Sequence, residues 1–435
     1  MRVLVIGLCT LHWGRMEFGN VGNYYIVKPF FEQLRRVFPH AEIATTFQMS
    51  EEFCAPEAVK VLPSDLYYSW DKDLLAQAQE EYVSAKAFAE QGMLLCHTPY
   101  IDEVLASDLV VDLSGDMWGD NADIAGKNRF KIAVLKDRVA QLLGKKTVML
   151  AGSPGPFQRC SDEELALVRQ TYAAFDYVTN REQVSTDRLR AWNFDLTRTE
   201  DNFCPAFLCN PEKNNLIKKR LDEFRKGKLL TGVSICGFNF PTGEYNTWPR
   251  ADEEFLPFCQ LIEHIVLNRH SKVMLLSHNN AFVRQPNFQL QNGRDYVILQ
   301  KLHEVLLQRG HVQQEDLLLW DVPFFAPEVK YAICLTDLYV SGRAHGAVAA
   351  FSQNVPCLVL DYLNGPTPQK LKGFARDVGM EEYVVGINES RAACELFSQL
   401  CDARKNVQEQ LEKANARIKN KIEKSFDHLQ QLMMN

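Results

Sequence analysis

The chain has 435 residues, which suits two large α/β domains or about three smaller ones and excludes a single small module. Hydrophobic residues make up 46% and charged residues 24%, so a largely disordered chain is excluded. The formal charge of −7 gives no overall attraction to a phosphate backbone, and nucleic acid is not an expected partner.

Residues 1–7 carry a short apolar run without a longer h-region or a small-residue cleavage site, so they read as a buried strand rather than an export signal. No uncharged apolar stretch approaches the roughly 18 residues of a membrane-spanning helix, and a cytoplasmic protein is expected. From there apolar strand, turn and helix alternate. Strands are predicted over 3–6, 109–113, 147–150, 177–179, 231–235, 272–276, 317–320, 338–341 and 357–360, with helices over 130–143, 163–175, 254–269 and 347–352. Residues 40–100 are less regular, include the run Asp65-Leu66-Tyr67-Tyr68-Ser69-Trp70, and read as insertions around the first sheet.

This alternation implies parallel sheets covered on both faces, with ligands gathered at the carboxyl ends of the strands. A charged helical stretch over 213–226 follows one strand series and precedes the next. The expected organisation is α/β: two Rossmann-like doubly wound domains facing a cleft, over 1–205 and 206–400, with an amphipathic helix over 401–435. Along that helix Val407, Leu411, Ala414, Ile418, Ile422, Phe426 and Leu429 recur three or four apart, so one face should be buried. Its basic residues Arg404, Lys405, Lys413, Arg417, Lys419, Lys421 and Lys424 suit a peripheral contact with an anionic membrane surface. The interspersed Glu409, Glu412, Glu423 and Asp427 suit an ordinary solvated face.

Twelve cysteines, from Cys9 to Cys401, include no C-x-x-C pair, and the nearest two, Cys204 and Cys209, have no histidine cluster beside them. Neither a zinc site nor a disulfide framework is expected, and no metal is assigned.

The most informative stretch is Ser341-Gly342-Arg343-Ala344-His345. A strand ends at Ser341, glycine permits a tight turn and a small-residue helix follows, so Arg343 and His345 stand where backbone N–H groups favour an anion. Arginine grips phosphate or carboxylate through two N–H groups, and histidine binds phosphate or moves a proton near neutral pH. The bland reading, a capping histidine and a surface arginine, stays open on the residues alone.

Ser-x-Arg-x-His after a strand, then small residues and Asn354-Val355-Pro356, resembles the polysaccharide pyruvyl transferase family. Asp361-Tyr362 followed by Lys370 three residues before Gly373 resembles the family's tyrosine-then-lysine segment, and Ser277-His278 the strand end where it places a histidine. Gly19-Asn20-Val21-Gly22-Asn23 is similar to its Gly-Asn-x-Gly-Asp loop, with Asn23 in place of Asp. Asp112-Leu113-Ser114-Gly115-Asp116 and Ala151-Gly152-Ser153-Pro154-Gly155-Pro156-Phe157 resemble two Gly-containing strand ends. Arg181-Glu182-Gln183-Val184-Ser185 fits Arg-x-x-x-Ser, and Cys204-Pro205-Ala206-Phe207 sits where Asp-Pro-Ala-Phe is common.

The resemblance implies a GT-B-like fold and transfer of a pyruvyl group from phosphoenolpyruvate to a saccharide acceptor, without a cofactor. It implies His345 as general acid and Arg343 with Lys370 as cations neutralising the donor. Asn20, Gly22, Asn23, Gly115, Asp116, Arg181, Ser185 and His278 become substrate-binding candidates, the first domain taking the acceptor and the second the donor. Two other readings stand beside this one: a GT-B-type glycosyltransferase using a nucleotide sugar, and a non-catalytic binding protein that keeps the fold.

Overall fold

The computed structural model describes residues 1–8, 16–69, 71–125, 127–283, 286–363 and 369–434; Cys9 and Trp70, noted above, lie outside the described residues. The chain divides into two compact units. One comprises Met1–Met16, Phe30–Pro205 and Asn420–Asn435, the other Glu17–Pro29 and Ala206–Lys419. The loop Gly19–Asn23 therefore packs with the second unit, although it precedes nearly all of the first in sequence. The helix Val21–Val37 passes from one unit to the other at Pro29, the residue that lacks the N–H an inner helical turn requires.

The first unit is built on seven parallel strands: β1 (Arg2–Ile6), β2 (Glu42–Thr45), β3 (Val59–Val61), β4 (Leu109–Asp112), β5 (Lys146–Gly152), β6 (Tyr177–Asn180) and β7 (Thr199–Asp201). Their order is β3-β2-β1-β4-β5-β6-β7, so the winding reverses between β1 and β4. Leu-Val-Val-Asp in β4 is buried throughout, as a strand covered on both faces must be. The expectation that 40–100 are insertions is wrong: they supply β2 and β3 to the sheet and the helix Leu75–Gln91. These strands have only four and three residues, too few for a hydrophobic period to show.

Under this sheet Trp118 is fully buried, with the rings of Phe130, Phe157 and Tyr172 around it at 5.6, 6.1 and 5.8 Å and its indole N–H donating to Asp137 at 3.0 Å. Beside it Lys136 and Glu81 form a fully buried ion pair at 2.5 Å. Both partners are also bonded elsewhere: Lys136 donates to the Leu66 carbonyl and Glu81 accepts from Thr98.

The second unit contains β8 (Leu229–Ser234), β9 (Ser271–Leu275), an antiparallel hairpin β10 (Asn280–Val283) and β11 (Gln289–Asn292), then β12 (Leu317–Leu319), β13 (Leu338–Ser341), β14 (Cys357–Leu360) and β15 (Val384–Val385). Its six-stranded parallel sheet runs β12-β9-β8-β13-β14-β15, with the winding reversing between β8 and β13. The final helix, Arg404–Met434, buries Val407, Leu411, Ile418, Ile422, Phe426 and Leu429 as its spacing predicts. Ala414 is only partly covered. Asn415 is buried in its place, donating to the Phe351 carbonyl at 2.8 Å and to Asn354 at 2.6 Å. Among the described residues no helix is long and apolar enough to cross a membrane.

Candidate active site

In a doubly wound sheet the two strands flanking the reversal diverge at their carboxyl ends and leave a crevice. In the second unit those ends are Ser234 and Ser341. The turn beyond β13 is held by the Gly342 N–H donating to the Ser234 carbonyl at 2.7 Å and by Ser341 Oγ donating to the Arg343 carbonyl at 2.8 Å. Glycine is required at 342, where a Cβ would stand 2.0 Å from Asn239 Oδ1. Asn239 joins two strand ends, those of β8 and β14: its Oδ1 accepts from the Cys236 N–H at 2.9 Å, and its Nδ2 donates to the Leu360 carbonyl at 3.0 Å and the Asp361 carbonyl at 3.4 Å.

Arg343 is the N-cap residue of the helix Ala344–Phe351. It is not the surface arginine of the bland reading. Its guanidinium is largely buried and holds the fully buried Asp295 through two N–H groups, Nε donating to Oδ2 at 2.9 Å and Nη2 to Oδ1. Burial alone would lower the proton affinity of Arg343, but the Asp295 carboxylate outweighs it and keeps the group charged. The buried Cys236 thiol, whose Sγ lies 3.2 Å from the Gly342 carbonyl, is pushed up to about 11 chiefly by burial and is not a nucleophile at neutral pH.

His345 lies in the first turn of the same helix, half-buried, with its ring 5.9 Å from that of Phe374. Gly22 abuts it so closely that a Cβ on Gly22 would be 2.6 Å from His345 Cβ. The Asn20 side chain accepts the Gly22 N–H at 3.0 Å, Asn20 bridges to Asn279, and the Gly19 carbonyl accepts the Asn280 N–H at 2.7 Å. The loop given to the acceptor side in the sequence thus lies against His345 and the residues next to His278. Asn23 is buried, and its Nδ2 has no hydrogen-bond partner among the described residues.

His278, beyond β9, is buried, with neither ring nitrogen hydrogen-bonded among the described residues, its ring edge-on to Tyr25 at 5.5 Å. Burial, then the Arg343 guanidinium and the Lys330 ammonium, hold it down at about 3, so it is neutral at neutral pH. Lys370 stands 5.7 Å above the Tyr362 ring. That ring belongs to a column in which Phe238 lies 5.0 Å from Tyr362 and 4.9 Å from Tyr245, with Arg294 above Tyr245 at 5.2 Å.

In the first unit the other candidates meet beyond β4, β5 and β6. Arg181 is buried, donating from Nε to Ser153 Oγ at 2.8 Å and from Nη2 to Asp116 at 3.0 Å. Gly115 has φ +58, and a Cβ there would come within 3.2 Å of Arg181 Nη1. Ser185 is engaged locally: its N–H and its hydroxyl both donate to Glu182, the N-cap of the helix Gln183–Ala191. Burial raises the Glu182 carboxyl above its usual range.

Sequence reasoning did not single out Asp295, Asn239, Tyr25 or Glu182. Asn239 follows an apolar strand and a glycine, as Arg343 does, but no small-residue helix comes after it, so the signature used at Ser341 does not reach it. Asp295 looks like any acid in the first turn of a helix, here Arg294–Arg309.

The sequence profile of the polysaccharide pyruvyl transferase family matches residues 20–364, a span that includes every candidate except Lys370. No curated protein matches the chain significantly. Among solved structures, Anabaena HepE in complex with UDP is 10% identical, with TM-score 0.57 over 100% of this chain and 99% of that one. UDP-GlcNAc 2-epimerase from Neisseria meningitidis bound to UDP-GlcNAc is 14% identical, with TM-score 0.55 over 98% and 100%. The trehalose 6-phosphate synthase of Burkholderia multivorans is 9% identical, with TM-score 0.53 over 100% and 96%. At such identities the likeness is one of fold, and that fold is GT-B-like.

Proposed function

Because the chain belongs to the polysaccharide pyruvyl transferase family and is a transferase, we propose that it moves the pyruvyl group of phosphoenolpyruvate onto saccharide hydroxyls, forming a ketal in cell-surface polysaccharide biosynthesis. The observation that carries this reading is the pairing of Arg343 with His345 at the reversal of the second sheet, inside the matched span.

The reaction needs one acid and an anion clamp. His345 protonates the methylene carbon, which makes the enol carbon electrophilic. A sugar hydroxyl adds to that carbon and loses its proton. The bond from that carbon to the phosphate oxygen then breaks, its electron pair leaving with inorganic phosphate, and a second hydroxyl closes the ketal with loss of its proton. Arg343 and Lys370 hold donor charge, and neutral His278 offers an N–H without adding charge. Gly115, Asp116 and Arg181, with Ser185 behind them, are assigned to the acceptor hydroxyls, and Asn20, Gly22 and Asn23 to the substrate beside His345. The donor is already activated as an enol phosphate, so no redox cofactor or metal enters the scheme. A cytoplasmic location, with peripheral contact at the inner face of the membrane through exposed basic residues of the final helix such as Lys405, Lys413 and Lys424, is part of the same proposal.

The test is incubation with phosphoenolpyruvate and a panel of saccharides, following phosphate release together with a mass gain in the acceptor. A nucleotide sugar serves as the control donor. Transfer from it, with none from phosphoenolpyruvate, would replace this reading with the glycosyltransferase one.

A further inference from the structure

A guanidinium offers two parallel forks, one along its side made by Nε and Nη2, the other at its end made by Nη1 and Nη2. In Arg343 the side fork is filled by Asp295. Among the described residues no other hydrogen bond is made by this guanidinium, so the end fork is open to a ligand. Asp295 is itself fully buried in the first turn of the helix Arg294–Arg309, and its position is fixed by that helix rather than by a mobile loop. That helix begins at Gly293, where a Cβ would stand 2.3 Å from the Asn279 carbonyl oxygen, next to His278.

We propose that Asp295 is a positioning residue: it grips the side of Arg343 and so aims the end fork at the phosphate or carboxylate of the donor. This rests on the reading of the site as a phosphoenolpyruvate site, which it deepens. A buried ion pair adds little net stability compared with apolar packing, so stability alone does not account for this one. The opposite role is a competitor: if Asp295 merely occupied Arg343 until an anion displaced it, removing its charge would tighten anion binding.

The experiment titrates phosphoenolpyruvate and inorganic phosphate into the unmodified protein, Asp295→Asn and Asp295→Glu, and adds steady-state turnover. Asp295→Asn removes a negative charge, yet anion binding is expected to weaken by about 10- to 100-fold, with donor KM rising more than kcat falls. In an Arg343→Met background the same change should add almost nothing. Asp295→Glu keeps the charge but displaces the fork by one methylene, and weaker binding is again expected, which covers the case in which Asp295→Asn does not fold. Unchanged or tighter anion binding in the folded variants overturns the proposal. If the unmodified protein binds phosphate but not phosphoenolpyruvate, the donor reading fails and Asp295 is judged on phosphate. If it binds neither, both fail.

Discussion

Gly22→Ala is a small change that reaches the proposed acid without replacing it. The new methyl group would lie 2.6 Å from His345 Cβ and 2.8 Å from His345 Cγ. Ordinary carbon contacts are about 3.5 to 4.0 Å, so the helix and the histidine must separate by about 1 Å. His345 is anchored in the first turn of Ala344–Phe351, and Gly22 is held from the other side by Asn20, so the strain has no flexible side chain to absorb it. Overpacking of this kind costs about 1 to 3 kcal/mol, partly offset by the roughly 1 kcal/mol advantage of alanine over glycine in a helix. A denaturation midpoint should therefore shift only modestly. Turnover should fall further: displacing a proton donor by about 1 Å costs on the order of 10²-fold, read as kcat for phosphate release. A folded Gly22→Ala protein with unaltered kcat would refute the assignment of His345, because the acid cannot move that far and still protonate the same carbon.

His345→Ala should lower turnover by about 10² to 10⁴ while donor binding, measured by titration, falls less; equal losses would make His345 a phosphate ligand only. Lys136→Met leaves Glu81 buried without its partner and should cost about 3 to 5 kcal/mol in urea unfolding, with much of that regained on adding Glu81→Leu. His278 has a folded value of about 3 against an ordinary value of 6.5, so between those limits the unfolded chain binds the extra proton and stability falls as pH drops from 6.5 toward 3. His278→Gln should remove up to about 1.4 kcal/mol per pH unit of that acid sensitivity, and an unchanged pH dependence of unfolding would show that the imidazole is hydrated.

Most of the strands legible in the sequence are buried along their length, although Leu317–Leu319 was legible with a single buried residue and Glu42–Thr45 was missed with three. Leu338–Ser341 and Cys357–Leu360 stand where their apolar runs and flanking turns put them. Val59-Lys60-Val61 was not legible, because its three residues have one buried side chain and a lysine that faces solvent. In the site, the glycine turn before a small-residue helix exposed Arg343 and His345. Their partners could not be read in this way. Asp295 lies 48 positions from Arg343, and nothing local distinguishes a buried ion-pair acid from one that favours the start of a helix. The allegiance of Gly19–Asn23 to the second unit was equally invisible, since a loop's own residues do not record which sheet supplies the carbonyl and amide it meets.

Asn239 sets how unevenly the second unit tolerates sequence change. Its amide accepts at one end and donates at the other, spanning backbone groups that follow β8 and β14 while Gly342 rests against its oxygen. Aspartate would offer no donor to the Leu360 and Asp361 carbonyls. Glutamine is one methylene too long, and serine cannot reach both sides. A cation that grips an anion can be moved by a residue or exchanged for another, and the charge is still supplied. At position 239 the side-chain alphabet contains a single word, so drift in this unit is confined to what the site holds, while the frame on which it is held stays fixed.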